Sequence, residues 1–347
     1  MNAALDCPLP YGDYTSVVLG HGSGGRLSHA LVEGVLLPAL GLDPQKTLED
    51  QAVLEPLAGR PALTTDSFVV SPLFFPGGDI GSLAVYGTVN DLAVGGAVPR
   101  FISLALIIEE GLAIDTLRRV ASSIRAACSR SGVRLVTGDT KVVERGKADG
   151  LFVTTTGIGV VPPGRNLSAQ NARPGDRVIV SGPIGDHGIA VLSKREGLEL
   201  DTELVSDSAP VHGLVLAGLE VEPETRCLRD PTRGGLSSSL NEIARASRVG
   251  IRLDERAIPV QPAVRGACEL FGFDPLYVAC EGRVVAIVPA RSAERVLETW
   301  RARELGRDAA IIGEVVAEHP GVVTERSVIG GERVVPLLSG EQLPRIC

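Results

Sequence analysis

Aromatic side chains are scarce, at 3% of the 347 residues with one tryptophan and four tyrosines. The core must therefore be built from Val, Leu, Ile and Ala. The chain has no run of Lys or Arg with interleaved aromatics. With a net charge of -8 and a pI near 5.3, it lacks the clustered positive charge of a nucleic-acid surface. No apolar stretch reaches the roughly 18 residues a membrane span needs, and Met1 to Asp6 lacks a signal peptide's basic and apolar regions. No C-x-x-C occurs: Cys7, Cys128, Cys227, Cys268, Cys280 and Cys347 lie far apart. That spacing excludes a disulfide framework and a zinc ligand set, and it fits a reducing cytoplasm that keeps a terminal thiol free. Low-complexity segments are absent, and the likeness of Asn90-Asp91-Leu92-Ala93 to Asn241-Glu242-Ile243-Ala244 is too short for a repeat.

What is present is an alternation of strands and helices long enough for two domains, with 41 glycines and 23 prolines for tight turns. Thr15 to Leu19 is read as a short strand, followed by a glycine-rich loop and a helix from an N-cap at Ser28 to Leu40. A strand Ala62 to Thr65 then delivers Asp66, and Asp79 caps a helix to Val94 that carries Asn90 and Asp91. A strand Arg100 to Ile108, a helix Asp115 to Ser131, a strand Arg134 to Thr137 ending at Asp139, and a strand Gly150 to Val161 follow. A turn-rich linker at 166–174 precedes a second unit. This unit has strands Asp176 to Ser181, Arg283 to Pro289, Ala309 to Val316 and Gly321 to Thr324, and helices Leu236 to Ser247 and Ser292 to Glu304. The expected division is 1–40, 41–165, 166–328 and a flexible tail at 329–347. Extended, Ser339 to Cys347 spans about 30 Å, enough to carry the last thiol into a cleft.

Several residues are candidates for chemistry. The run Gly20-His21-Gly22-Ser23-Gly24-Gly25 exposes backbone N–H groups before a helix, either to cover a phosphate or as a loose terminus. It lacks the following strand and acid of a dinucleotide fold and the Gly-Lys-Ser/Thr of a P-loop. Asp66, Asp91 and Asp139 each stand where an apolar element meets a turn or a polar helix face. Three such carboxylates suit Mg²⁺ completed by nucleotide phosphates. Lys141, two residues beyond Asp139, either meets the phosphates or is a solvated strand-end lysine. Arg233, in the loop Thr232-Arg233-Gly234, either contacts phosphate or pairs with Asp230. Glu281 lies in an apolar run from Leu276 to Val288. Burial there would raise its pKa and suit it to proton transfer, and an exposed turn is the alternative. His187 reads as a structural turn residue.

These motifs occur in one order: His21-Gly22-Ser23-Gly24-Gly25, Thr65-Asp66-Ser67, Asn90-Asp91-Leu92-Ala93, Gly138-Asp139-Thr140-Lys141, Gly185-Asp186-His187-Gly188, Arg229-Asp230-Pro231-Thr232-Arg233-Gly234-Gly235-Leu236, Glu281-Gly282 and Pro344-Arg345-Ile346-Cys347. The series resembles the HypE family, the carbamoyl dehydratases of [NiFe]-hydrogenase maturation. The acidic and glycine motifs are shared with aminoimidazole ribonucleotide synthetase, selenophosphate synthetase and thiamine-monophosphate kinase; the terminal Pro-Arg-Ile-Cys selects the maturation family. Cys280 departs from it, since the family more often has Asn before the glutamate.

The resemblance implies a two-domain α/β fold whose N-terminal sheets pair into a barrel across a homodimer, with ATP and Mg²⁺ in a cleft. It implies nucleotide contacts from Gly22, Gly24, Gly25, Asp66, Asn90, Asp91, Asp139, Thr232, Arg233 and Gly234, and metal contacts from Asp66, Asp91 and Asp139. The reaction it implies is ATP-dependent dehydration of a carbamoyl group on Cys347 to a thiocyanate, with Glu281 or Lys141 as the base. The implied partners are the carbamoyltransferase HypF and a HypC–HypD scaffold. The competing expectation is a synthetase or kinase of the same superfamily acting on a free small molecule.

Overall fold

The computed structural model describes residues 14–45, 48–197, 204–338, 343 and 346–347. The signal-peptide reading at 1–6, Cys7, and the tail residues 339–342, Pro344 and Arg345 lie outside the described residues.

The expected strand at Thr15 to Leu19 does not form. Ser16 makes one bridge to Ala113, and Leu19–Gly22 is a 3₁₀ turn. Helix α1 (Arg26–Leu31) starts after Gly25, not at Ser28, whose hydroxyl instead accepts from the Gly24 N–H. It passes through a π turn at Val32–Leu36 into α2 (Leu37–Leu40).

The first domain is built from β1 (Arg60–Phe68), the hairpin β2 (Phe74–Phe75) and β3 (Gly78–Asp79), α3 (Ile80–Val94), β4 (Val98–Glu109), α4 (Ile114–Ser131), β5 (Arg134–Val143) and β6 (Leu151–Val161). Its sheet runs β1-β6-β4-β5. Asp79 caps α3 as its sequence predicts, accepting from the N–H groups of Gly81 and Ser82. This helix is buried nearly all round, because sheet, α4 and the second domain each cover one side. It places Asn90 toward the second domain and Asp91 toward β1. On the sheet's other face Leu63 and Ile107 stay 70% and 39% exposed among the described residues.

The second domain follows with β7 (Arg177–Val180), α5 (Asp186–Glu196), α6 (His212–Val221), β8 (Cys227–Arg229), α7 (Gly235–Ser247), β9 (Gly250–Asp254), α8 (Pro262–Phe271), β10 (Val285–Val288), α9 (Ala293–Arg301), β11 (Ala310–Val316), β12 (Val323–Arg326) and β13 (Glu332–Val334). Its seven strands run β13-β12-β9-β11-β7-β10-β8. Strands β7 and β10 are buried on both faces. Val178, Val180, Val285 and Ile287 pack toward α7, while Ile179, Ala286 and Val288 pack toward α6 and α9. This explains their unbroken apolar runs. The helices α6 and α8 and the strands β8, β9 and β13 escaped the sequence reading.

Candidate active site around the terminal thiol

Cys347 stands inside its own chain, at the junction of the two domains. Its thiol lines a cavity of about 170 Å³ together with Asp66, Asp91, Asp230, Thr232, Arg233 and Glu281. Ile346 forms a bridge to Val70, and its side chain is buried in the first domain's core. Burial first, and the Glu281 carboxyl second, push the Cys347 thiol far above its ordinary pKa. The inserted sulfur is therefore held as the thiol, a poor nucleophile.

The acids come from four separate segments. Strand alternation puts Thr64, Asp66 and Phe68 on the face that meets α3, where the Thr64 hydroxyl donates to Asp91 Oδ2 at 2.8 Å. Asp66 Oδ1 accepts the Ser67 N–H at 2.8 Å and lies 3.9 Å from the Arg233 guanidinium. Burial raises the pKa of both Asp66 and Asp91, and Asp66 adds to the rise at Asp91. Asp230 is pushed up to about 7, by burial and then by Asp91. Glu281 is raised well above its ordinary value, by burial and then by Asp230, Asp207, Asp66 and Asp91, and its Oε1 is buried with no hydrogen-bond partner among the described residues. Arg233 lies nearest Asp66, not Asp230 as the sequence allowed.

Crowding of like charges has a consequence for stability. Folded Asp230 keeps a proton that the unfolded chain releases near 3.8, so this group's destabilising contribution grows as pH rises from there to about 7. Asp230→Asn is expected to raise the Tm most at about pH 8 and progressively less as pH falls toward 5. A gain independent of pH in thermal melts would contradict this coupling.

The turn holding Glu281 is fixed from both domains. Its N–H donates to Asp207 Oδ1 at 3.1 Å, and its carbonyl accepts from Asn90 Nδ2 at 3.2 Å. Asn90 also donates to the Ala209 carbonyl and accepts from the Val211 N–H. In this structure the Asn90 amide ties α3 to the second domain. Gly282 is required next to Glu281, since a Cβ there would run into the Asp207 carbonyl oxygen. Cys280 packs in the second domain's core, where its sulfur accepts the Gly185 N–H at 3.2 Å. Gly234 supplies the left-handed residue (φ 75°) that opens α7 behind Arg233.

Asp139 and Lys141 are not brought to the thiol. They line a larger cleft of about 930 Å³ with Gly22 and Gly24, and Lys141 Nζ pairs with Asp139 Oδ2 at 2.9 Å. Gly25, next to the cleft-lining Gly24, is the N-cap of α1 and is not itself part of the lining. Register explains the separation. Asp139 aligns with Ala105, Thr154 and Ser67, three strand spacings or about 14 Å from β1, and on the sheet face opposite Asp66. The expected triad of Asp66, Asp91 and Asp139 therefore does not assemble within one chain, and among the described residues no group of three His, Cys, Asp or Glu is poised around a metal.

Asp230, which the sequence offers only as a partner for Arg233, joins the acids of the cavity. His187 is structural, as its sequence predicts: it is fully buried and bonds the Ile346 carbonyl through Nε2 at 2.6 Å.

Fold and cavity together define a class. Residues 48–161 match the family described as AIR synthase related protein, N-terminal domain, and residues 173–325 match its C-terminal domain. Within that class, one branch is found among both the sequence relatives and the solved structures. The carbamoyl dehydratase HypE of Azotobacter vinelandii is 57% identical over 332 residues, 96% of this chain and 97% of that one. A crystal structure of hydrogenase maturation protein HypE in complex with ATP superposes with a TM-score of 0.90 at 46% identity, covering 95% of this chain and 99% of that one. HypE in a HypE–HypF complex gives 0.78 at 48% identity, covering 83% and 93%. The chain belongs to the HypE family of carbamoyl dehydratases.

Proposed function

We propose that the chain dehydrates a carbamoyl group carried on Cys347 to a thiocyanate at the expense of ATP, making cyanide for the iron of [NiFe]-hydrogenase. The observation that carries this reading is the terminal sulfur lying in one small cavity with Asp66, Asp91, Asp230, Arg233 and Glu281. At about 170 Å³ it is smaller than the roughly 300 Å³ at which ligand pockets begin. It suits a one-carbon adduct and the γ-phosphoryl end of a nucleotide.

The chemistry follows from the bonds. An amide oxygen does not leave as oxide, so the carbamoyl oxygen takes the γ-phosphoryl group, ADP departs and the nitrogen gives up one proton. The C–O bond then breaks with its electron pair going to phosphate. As the nitrogen loses its second proton, the C–N bond becomes a nitrile. Glu281 receives the first proton and the departing phosphate takes the second; once ionised, a carboxylate of raised pKa is the stronger base. Lys141 is the less favoured base because it stands in the other cleft, paired with Asp139.

Asp66 and Asp91 are hard oxygen donors whose burial and mutual repulsion a divalent cation would relieve, so they fit Mg²⁺. Bound there, Mg²⁺ supplies neutralising charge for the phosphoryl oxygens. Asp91→Ala is expected to lower magnesium-dependent ATP turnover by about 10²-fold or more; unchanged turnover in a phosphate-release assay would remove it from the metal set.

Carbamoylation belongs to a state with the tail outside, because the inserted thiol is protonated and enclosed. The carbamoyltransferase HypF serves as donor and a HypC–HypD scaffold as acceptor of the product. A second copy of the chain pairs through the uncovered sheet face. Lys141 aligns with exposed Ile107 on that face, so a dimer would put Asp139 and Lys141 at the interface. No described helix is long and apolar enough to cross a membrane. The described cysteines are unpaired, which suits the cytoplasm. The test is the mass of the C-terminal peptide after incubation with carbamoyl donor, HypF and ATP.

A further inference from the structure

The described end of the tail is held more tightly than a frayed terminus. Ile346 is bridged to Val70 and its side chain is 6% exposed. Its carbonyl meets His187 Nε2 at 2.6 Å. A carbonyl only accepts, so Nε2 carries the hydrogen. Burial lowers the imidazole pKa and favours the neutral ring, which leaves Nδ1 as an acceptor. Ser206 Oγ lies 2.8 Å from Nδ1 and so donates to it, while that same hydroxyl accepts the Ser208 N–H at 3.0 Å. Each group in the chain from Ser208 to Ile346 thus has one assigned role.

The surroundings leave the ring little freedom. Phe75 stacks edge-on against it at 5.3 Å between centroids, and the Ser206 N–H donates to the Pro76 carbonyl of the first domain. Between Ser206 and Ser208 lies Asp207, whose carboxylate holds the Glu281 N–H. One short loop therefore orients both the imidazole gripping the tail and the backbone of the proposed base.

We propose that His187 is the positioning residue of the tail: through Ser206 it locks the peptide group carrying Cys347 in register with Glu281. The proposal rests on the carbamoyl-dehydratase reading only in regarding the thiol as the carrier of substrate. Its test needs neither carbamoyl donor nor ATP, so it fails separately from that reading.

The full chain is treated with iodoacetamide without nucleotide, and alkylation at Cys347 is timed by peptide mass. His187→Phe keeps the bulk beside Phe75 and removes the donor, so Cys347 should react about tenfold faster, as expected for one buried hydrogen bond. His187→Gln, which restores an N–H near the Nε2 position, should return the rate close to that of the parent. Ser206→Ala should accelerate alkylation about threefold, and it carries the test if His187→Phe melts in thermal scans. Parent-like rates in both His187→Phe and Ser206→Ala overturn the proposal. So does a His187→Gln rate equal to that of His187→Phe, since packing rather than the hydrogen bond would then hold the tail.

Discussion

Cys347→Ser yields a C-terminal peptide that keeps its unmodified mass after incubation with carbamoyl donor, HypF and ATP, whereas the parent peptide first gains a carbamoyl group and then loses one water. The expected loss is complete, because an alkoxide-derived carbamate leaves no thiocyanate to form and a serine hydroxyl is far less ionised than a thiol. Nucleotide binding should survive. Exchanging sulfur for oxygen removes none of the charged groups, Asp66, Asp91 and Arg233, that line the cavity with it. The fold should survive too, since the sulfur is a single partly buried atom beside a core supported by Phe68, Leu83 and Val89. ATP turnover that ignores Cys347→Ser and needs an added metabolite would transfer the cavity to the synthetase or kinase reading. Turnover absent in both proteins, with ATP bound, would make the tail a docking element instead.

The elements around this site were legible where one local signal dominates. Asp79 capping α3, the alternation that delivers Asp66 and the apolar run flanking Glu281 all follow from periodicity or a cap, and each lies where its sequence placed it. What could not be read is which residues meet. Asp66 and Asp139 look equivalent in sequence, each near the end of a strand beside a polar turn. Sheet order puts them three strands apart, and pairing parity puts them on opposite faces. Asn90 and Asp91 are neighbours, yet one helical step of about 100° sends the first into the domain junction and the second into the cavity. The partner of His187 is illegible for the same reason, because Ile346 is 159 positions away. The Ser28 cap failed more simply, as Gly25 already allowed the helix to begin one turn earlier.

Glu281→Gln separates proton transfer from everything else the site does. The substitution keeps the volume and both backbone ties, the N–H to Asp207 and the carbonyl to Asn90. It removes only the carboxyl whose Oε1 is buried without a partner among the described residues. Dehydration should slow by about 10²–10⁴-fold, with carbamoylated Cys347 accumulating in the mass spectrum rather than the free thiol. Stability should move the other way. In the folded chain Glu281 holds its proton well above the ordinary 4.5, because it is buried beside Asp230, Asp207, Asp66 and Asp91. The unfolded chain binds fewer protons above that value, so the slope of stability against pH is negative there, and the wild-type glutamate costs progressively more as pH rises. The glutamine variant should therefore melt higher than the parent at neutral pH, and the two melting curves should converge as pH falls toward 4.5. A variant that is inactive and also less stable at neutral pH would mean the carboxyl is a structural hydrogen-bonding group. One that is stabilised but still dehydrates at the parent rate would move the proton acceptor to Asp230, which also lines the cavity and whose own pKa is raised to about 7.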